Sequence, residues 1–196
     1  MPTALDSPTL DTLFRTARTH YGWEPTEISD TTLHTLYDLV KMGPTSANCS
    51  PARFRFVRSP AARERLAACV SGSNADKVRA APVTAIIGYD TRFYDKLPIL
   101  FPHADAKSWF AHSPEVAHET AMRNSSLQGA YFIIAARALG LDAGPMSGFD
   151  KAAVDAEFWA DTNTETNFIC SIGQGTDKGL HPRLPRLPFD EAASIV

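Results

Sequence analysis

Apolar positions along the chain follow two periods, and the elements are read from where one gives way to the other. Leu33, Leu36, Tyr37 and Val40 recur at helical spacing behind Ser29 and Asp30, so a helix is predicted there. It stops at Gly43-Pro44, a strong end signal. From Arg53 to Arg58 charged and apolar residues alternate through Phe54 and Phe56, as on a half-buried strand. Val83, Ala85, Ile86 and Ile87 form a nearly continuous apolar run, which predicts a central strand covered on both faces over 83–89. A third strand is expected from Asn167 to Ile172. Ser-Pro pairs at Ser7-Pro8, Ser59-Pro60 and Ser113-Pro114 each combine a capping hydroxyl with a proline in the first turn and predict three helix starts. The first would place Leu10, Leu13, Phe14 and Ala17 on one face. The last opens the longest helix, Pro114 to about Leu139, roughly 40 Å at 1.5 Å per residue. Its second half is apolar nearly all round, which assigns it to a core or a subunit interface, and Gly140 ends it.

Between these elements lie segments that periodicity does not explain. Pro44 to Pro51 carries Thr45, Ser46, Asn48 and Ser50, small hydroxyl and amide groups suited either to a flat polar ligand or to a self-bonded connector. Ser71 to Asn74 breaks the pattern before a short helical turn that ends at Pro82. Asp90 to His112 mixes aromatics with Pro98, Pro102, His103 and Lys107 and reads as a lid, a subunit interface or both. Asp142 to Gly148 has glycines at both ends of Gly144-Pro145-Met146-Ser147-Gly148 and reads as a second ligand loop before a helix capped by Asp150. The tail from Lys178 holds Pro182, Pro185 and Pro188 and should run extended, with a turn near Asp190 to Ser194.

Composition narrows the classes. The 196 residues suit one domain spanning 1–196, and the net charge of −3 offers no field for nucleic acid or an anionic membrane. Cys49, Cys69 and Cys170 form no CxxC pair, and the histidines show no metal-binding spacing. No 18-residue apolar run is present, so the expected setting is cytoplasmic. Gly173-Gln174-Gly175 leads into a proline-rich tail rather than a helix, against a dinucleotide fingerprint. Ser147 lacks the strand-turn-helix setting of a hydrolase nucleophile.

Four segments carry a resemblance: ARTHYGW (Ala17 to Trp23), KMGPTSANCSPARFRFV (Lys41 to Val57), LGLDAGPMSGF (Leu139 to Phe149) and RLPRL (Arg183 to Leu187). Together the chain resembles the flavin-dependent nitroreductase family, and within it the malonic semialdehyde reductase branch. The resemblance implies an α+β fold with a small mixed or antiparallel sheet wrapped by helices. It also implies an interwound homodimer in which the C-terminal segment of one subunit reaches the sheet of the other. It implies FMN as cofactor and NADH or NADPH as reductant, in a ping-pong hydride transfer to a small aldehyde, nitro or quinone substrate. For that branch the reaction is reduction of malonic semialdehyde to 3-hydroxypropionate.

Carried onto this sequence, Arg18, Thr19, Arg183 and Arg186 would bind the flavin phosphate and polyol, with Trp23 at the family's spacing from Arg18. Tyr21 departs from the second basic residue of many relatives. Thr45, Ser46 and Asn48 would meet ribityl or ring atoms, with Pro44 beside the ring and Asn74 bonded to it. Pro145, Met146, Ser147 and Gly148 would approach the hydride-exchanging nitrogen, Ser147 standing where many relatives have Glu. His103, Lys107 and Arg53 are candidates to hold a substrate carboxylate. No side chain is assigned as an indispensable acid or base, because the flavin carries the hydride. The reading from another class is a catalytically silent flavin-binding protein.

Overall fold

The structure is a computed structural model that describes residues 3–196. Its centre is a four-stranded antiparallel sheet in the order β2-β3-β5-β4, where β2 is Ala52–Val57, β3 Val83–Asp90, β4 Asp142–Met146 and β5 Thr164–Gly173. The period-two geometry of β3 sends Ala85 and Ile87 to one face and Ile86 to the other, and both faces are covered as its apolar run requires. On the first face α2 (Asp30–Val40) and α7 (Pro114–Ala138) contribute Leu36, Val40, Phe132 and Ala136 to the core. On the second, α3 (Pro60–Ala68), α4 (Asn74–Ala80) and α8 (Lys151–Phe158) contribute Leu66, Val78, Val154 and Phe158.

Capping chemistry sets most helix starts. Ser29, Ser59, Ser113 and Asp150 each accept a hydrogen bond from a backbone N–H of the first turn. The first helix, α1 (Ser7–Leu10), differs from expectation: Asp6 is the cap, accepting from Thr9 N at 2.9 Å, and Ser7 is already helical. It continues as a π-turn over Asp11–Arg15, closed by Thr16 N to Asp11 O at 2.9 Å. That extra residue per turn rotates the apolar stripe, so Leu13 is buried and Phe14 is exposed. Arg18, Thr19 and His20 therefore lie beyond the helix, in an extended segment that bridges Thr19 to Ala143 in parallel.

Three further differences concern strands and the aromatic segment. Asp142–Met146 is an edge strand rather than a loop, held by pairing with β5 from Asp142 opposite Gly173 to Met146 opposite Ile169. A small second sheet joins β1 (Gly22–Trp23) to β6 (Gly175–Thr176). The main sheet is antiparallel at every pairing, so of the two sheet types expected it is the antiparallel one. The stretch after β3 folds into a 3₁₀ turn (Phe93–Lys96), α5 (Leu97–Leu100) and α6 (Ser108–Ala111), and it owns a separate core of Tyr89, Phe93, Leu97, Ala106 and Phe110 against Ala117 and Ala121 of α7. Along α7 Gln128, Gly129, Phe132, Ala135 and Ala136 are buried while Leu127 and Tyr131 face outward. The tail is exposed from 181 onward and ends in α9 (Phe189–Ala192). Among the described residues no helix is long and apolar enough to cross a membrane.

Candidate functional site

Three of the four motif segments meet at the C-terminal end of α7. The first segment is drawn alongside β4 by His20 N donating to Ala143 O at 3.2 Å. Gly144 permits this crossing, since a Cβ there would sit 2.5 Å from the backbone oxygen of His20. His20 is fixed between Asp142, at 3.3 Å from Nε2, and the Thr176 carbonyl, at 3.2 Å from Nδ1. Arg18 donates to the His181 carbonyl, and Arg183 returns the tie by donating to Ala17 O at 2.8 Å. Between them lies a cavity of about 450 Å³ whose walls include Arg18, Thr19, Arg137, Arg183 and Arg186.

Charge in this cavity is unbalanced. Among the described residues no carboxylate pairs with Arg18, Arg137, Arg183 or Arg186, whereas Arg15, Arg53, Arg58, Arg65, Arg79, Arg92 and Arg123 all have acidic partners. Arg137 donates from Nη1 to Leu13 O at 3.0 Å, but its Nε is buried with no partner among the described residues. Burial pushes the Arg137 guanidinium below the usual arginine range and the Arg183 charge adds to that, with Asp142 opposing. Clustered guanidinium groups with open donors suit a phosphate, which accepts charge-assisted and bidentate hydrogen bonds.

A ring-sized ligand extending from this cavity would next meet β4 and α4. Asn74 Nδ2 lies 3.4 Å from Gly148 O, Ser71 Oγ donates to the same carbonyl at 3.0 Å, and Lys77 Nζ donates to Asn74 Oδ1 at 2.8 Å. Lys77 also stands 4.3 Å from the Tyr21 ring centre. Pro145 and Ser147 are exposed at the end of β4, but Met146 is buried in the second core against Val57 and Ile169, so of its groups only the backbone is available to a ligand. A Cβ on Gly148 would approach Asn74 Nδ2 to 2.6 Å, so this glycine makes room first for the asparagine amide. The residues present fit FMN: Arg18, Arg137, Arg183 and Arg186 would hold its phosphate, and Asn74 and Lys77 would supply amide and ammonium donors.

The fourth segment is elsewhere. Pro44, Thr45, Ser46 and Asn48 sit against the middle of α7, where Asn124 Oδ1 accepts from Ser46 N at 2.8 Å. Asn124 and Arg137 are about 20 Å apart along the helix axis. Within one chain the expected convergence of all four segments therefore does not occur. The loop is backbone-strained, with Ala47, Asn48 and Ser50 at φ of 48°, 50° and 38°. Asn48 Nδ2 donates to Leu100 O at 2.8 Å, Thr45 Oγ1 accepts from Ser50 N at 3.1 Å, and Gln128 Oε1 from Ala52 N at 2.9 Å. Cys49 is buried here, its thiol pushed up to about 11 chiefly by desolvation.

The candidate substrate cations lie at this end too, and two are already engaged. Arg53 donates to the carbonyls of Ser50 and Ala52 at 3.1 and 2.9 Å and to Asp90 at 2.6 Å. Lys107 lies 2.8 Å from Asp95. His103 is exposed, with the Phe101 ring edge-on at 5.4 Å. Sequence reasoning missed Lys77, Arg137, Asn124 and Gln128. Arg137 at a helix C-terminus reads as a dipole partner, and Lys77 on a short helix as a solvated surface residue. The polar positions Asn124 and Gln128 on the buried side of a long helix were the available signal.

Comparison with known proteins identifies the family and the fold. The model of the "Nitroreductase family" matches residues 14–174. A protein of Caulobacter vibrioides (strain NA1000 / CB15N) is 61% identical over 193 residues, covering 98% of each chain, and carries the assigned name NADH dehydrogenase/NAD(P)H nitroreductase. One of Stenotrophomonas maltophilia (strain R551-3) with the same assigned name is 59% identical over 195 residues, covering 100% of each. In fold, the chain superposes with a TM-score of 0.83 on a protein of Exiguobacterium sibiricum 255-15, assigned as a nitroreductase and solved in complex with FMN, at 20% identity over 100% of this chain and 99% of that one. With its antiparallel sheet, wrapping helices and motif segments, this α+β chain belongs to the nitroreductase family, a family of oxidoreductases.

Proposed function

We propose that the protein is an FMN-dependent NAD(P)H oxidoreductase acting on a small electrophilic substrate. The observation that carries this is the cavity lined by Arg18, Arg137, Arg183 and Arg186, which have no acidic partners among the described residues, joined through β4 to Asn74 and Lys77. Bound there, FMN would supply the exchange of hydride between NAD(P)H and the acceptor. The chain's own contribution is to hold the phosphate with guanidinium groups and to present donors at Asn74 and Lys77 to the polar end of the ring. The Ser147 and Gly148 N–H groups stand at the end of β4, where a backbone donor could meet a ring nitrogen. The relatives' names and the FMN complex of the E. sibiricum protein support the same reading.

The site is completed by a second copy of the chain. Met42, Leu127 and Tyr131 are 74%, 47% and 41% exposed, and together they leave an apolar stripe on the outer side of α7 and the end of α2. A two-fold pairing along that stripe would set the strained loop of one copy beside the arginine cavity of the other and would reconcile the separation along α7 with a shared site.

For the acceptor, the resemblance of the motif segments favours malonic semialdehyde, reduced to 3-hydroxypropionate. A broader nitro and quinone range is favoured instead by Arg53 and Lys107 being paired to Asp90 and Asp95, which leaves His103 as the candidate cation without an acidic partner. Titration of the protein with FMN, sedimentation of the loaded protein, and steady-state NADH and NADPH oxidation with malonic semialdehyde, nitroaromatics and quinones test the whole reading. Failure to bind FMN would defeat it, and a monomer with full turnover would defeat the shared site.

A further inference from the structure

The tail beyond Leu180 is exposed, and among the described residues two hydrogen bonds tie its 181–188 stretch to the part of the chain that precedes it: Arg18 to the His181 carbonyl and Arg183 to the Ala17 carbonyl. Its sequence PRLPRLP, from Pro182 to Pro188, repeats every three residues, the period of a polyproline II helix. At Pro188 φ is −66° and ψ is 164°, close to that geometry. A period of three sets Arg183 and Arg186 on one edge, and both line the cavity that Arg18 and Arg137 face from the body of the protein.

Closing this tail therefore adds two guanidinium charges to the two carried by the body of the protein, of which Arg137 is held by the Leu13 carbonyl, with no carboxylate paired to any of the four among the described residues. Two neutral carbonyl acceptors favour closure, and like-charge repulsion opposes it. A phosphate between the two pairs reverses the sign, because it accepts from both sides at once. We propose that residues 180–188 form a strap fastened by an anion, with Arg137, which nothing in the sequence motifs marked, as the partly buried guanidinium that makes closure depend on that anion. The anion's identity as the FMN phosphate rests on the function proposed above; the strap itself rests on the arginines.

Limited trypsin digestion of the full chain tests this, because the Arg183–Leu184 and Arg186–Leu187 bonds lie in the strap while Lys178–Gly179, just before it, serves as an internal reference. Saturating FMN is expected to slow cleavage at the two strap bonds at least tenfold relative to Lys178–Gly179. Riboflavin, with the ring but no phosphate, is expected to give no such protection, and inorganic pyrophosphate partial protection. The Arg137→Leu variant, and Arg137→Gln should the first not fold, is expected to be cut more slowly than the parent when both are free of anion. FMN bound by absorbance with unchanged strap cleavage would overturn the strap while leaving the function intact. Protection by riboflavin equal to that by FMN, or anion-free Arg137 variants as open as the parent, would overturn it too. Should FMN not bind, the function fails and pyrophosphate alone decides: its protection supports the strap, and its absence overturns it.

Discussion

The middle and the end of α7 carry two candidate ligand regions built on opposite principles. At the middle, the loop from Thr45 to Ser50 is backbone-strained but electrically satisfied: Asn124, Gln128, Thr45 and Arg53 each meet a specific N–H or C=O, and Arg53 is balanced by Asp90. At the end, the backbone is relaxed but the charge is not, with guanidinium groups of Arg18, Arg137, Arg183 and Arg186 sharing one cavity. Left-handed non-glycine residues cost about 1–3 kcal/mol each, so the first region holds its shape through contacts already made inside the protein. The second would acquire its full set of contacts from the proposed ligand. Shape is prepared in one place and charge in the other.

That contrast is broken most severely at Arg53. Arg53→Met removes the carbonyl contacts and leaves Asp90, mostly buried, without its cation, so a loss of about 3 kcal/mol is expected by chemical denaturation. An unchanged midpoint would show that the loop keeps its conformation without the clamp. Next is Asn124→Ala, which strands the Ser46 N–H and should cost about 2 kcal/mol. Because the loop of one copy would complete the proposed site of the other, FMN binding should weaken with either change only as far as the loop loses its shape, and by less than for Arg18→Ala, which flavin titration of each folded variant checks.

Arg18→Ala probes the other region and should do the reverse. Because Arg137, Arg183 and Arg186 remain, the loss of one charged hydrogen-bond donor is expected to weaken FMN binding by about tenfold, near 1.5 kcal/mol. Removing one of several repelling charges should leave folding stability nearly unchanged. Equal FMN affinity of variant and parent would refute the phosphate assignment, and a large drop in stability without FMN would erase the distinction between the two regions.

Much of the frame was written in local chemistry. Ser29, Ser59 and Ser113 cap helices as their sequence contexts imply, and the stripe from Leu33 to Val40 lies in the core as its spacing requires. Edge strand β4 was illegible because Gly144 and Pro145 are poor strand formers, and only pairing with the distant β5 makes them extended. The left-handed Ala47 and Ser50 carry no compositional mark, since their conformation is imposed by Arg53, Asn124 and Thr45 from outside. The candidate residues Arg18 and Arg183 were marked by motif and do touch each other's segments, but the separation of the Pro44 to Asn48 loop from them, set by Ser46 bonding Asn124 in the middle of α7, depends on tertiary packing that no local pattern spells out.

Acid should separate the two regions by a smaller effect. Near the loop, hydrogen bonding from Lys107, with the Arg92 charge, holds the Asp95 carboxyl below the usual carboxylate range. A depressed folded value means that this contribution is present above the unfolded carboxylate value, near 3.8, and is lost as pH falls through the folded one. In the cavity the guanidinium groups do not titrate in acid, whereas the ligand's phosphate does, its second proton binding near pH 6. His181 also lines the wall, so the measurement is made on the His181→Asn variant, which keeps the backbone carbonyl that Arg18 donates to. FMN affinity should therefore fall a few-fold between pH 7 and pH 5, while the segment from Phe93 to Phe110 keeps its order until the pH drops below about 4. Flavin fluorescence titrations at the two pH values, set beside hydrogen exchange of the segment, measure both. Loss of order in that segment already at pH 5 would mean that the two ends of α7 are coupled through the helix, and that shape and charge are not prepared independently.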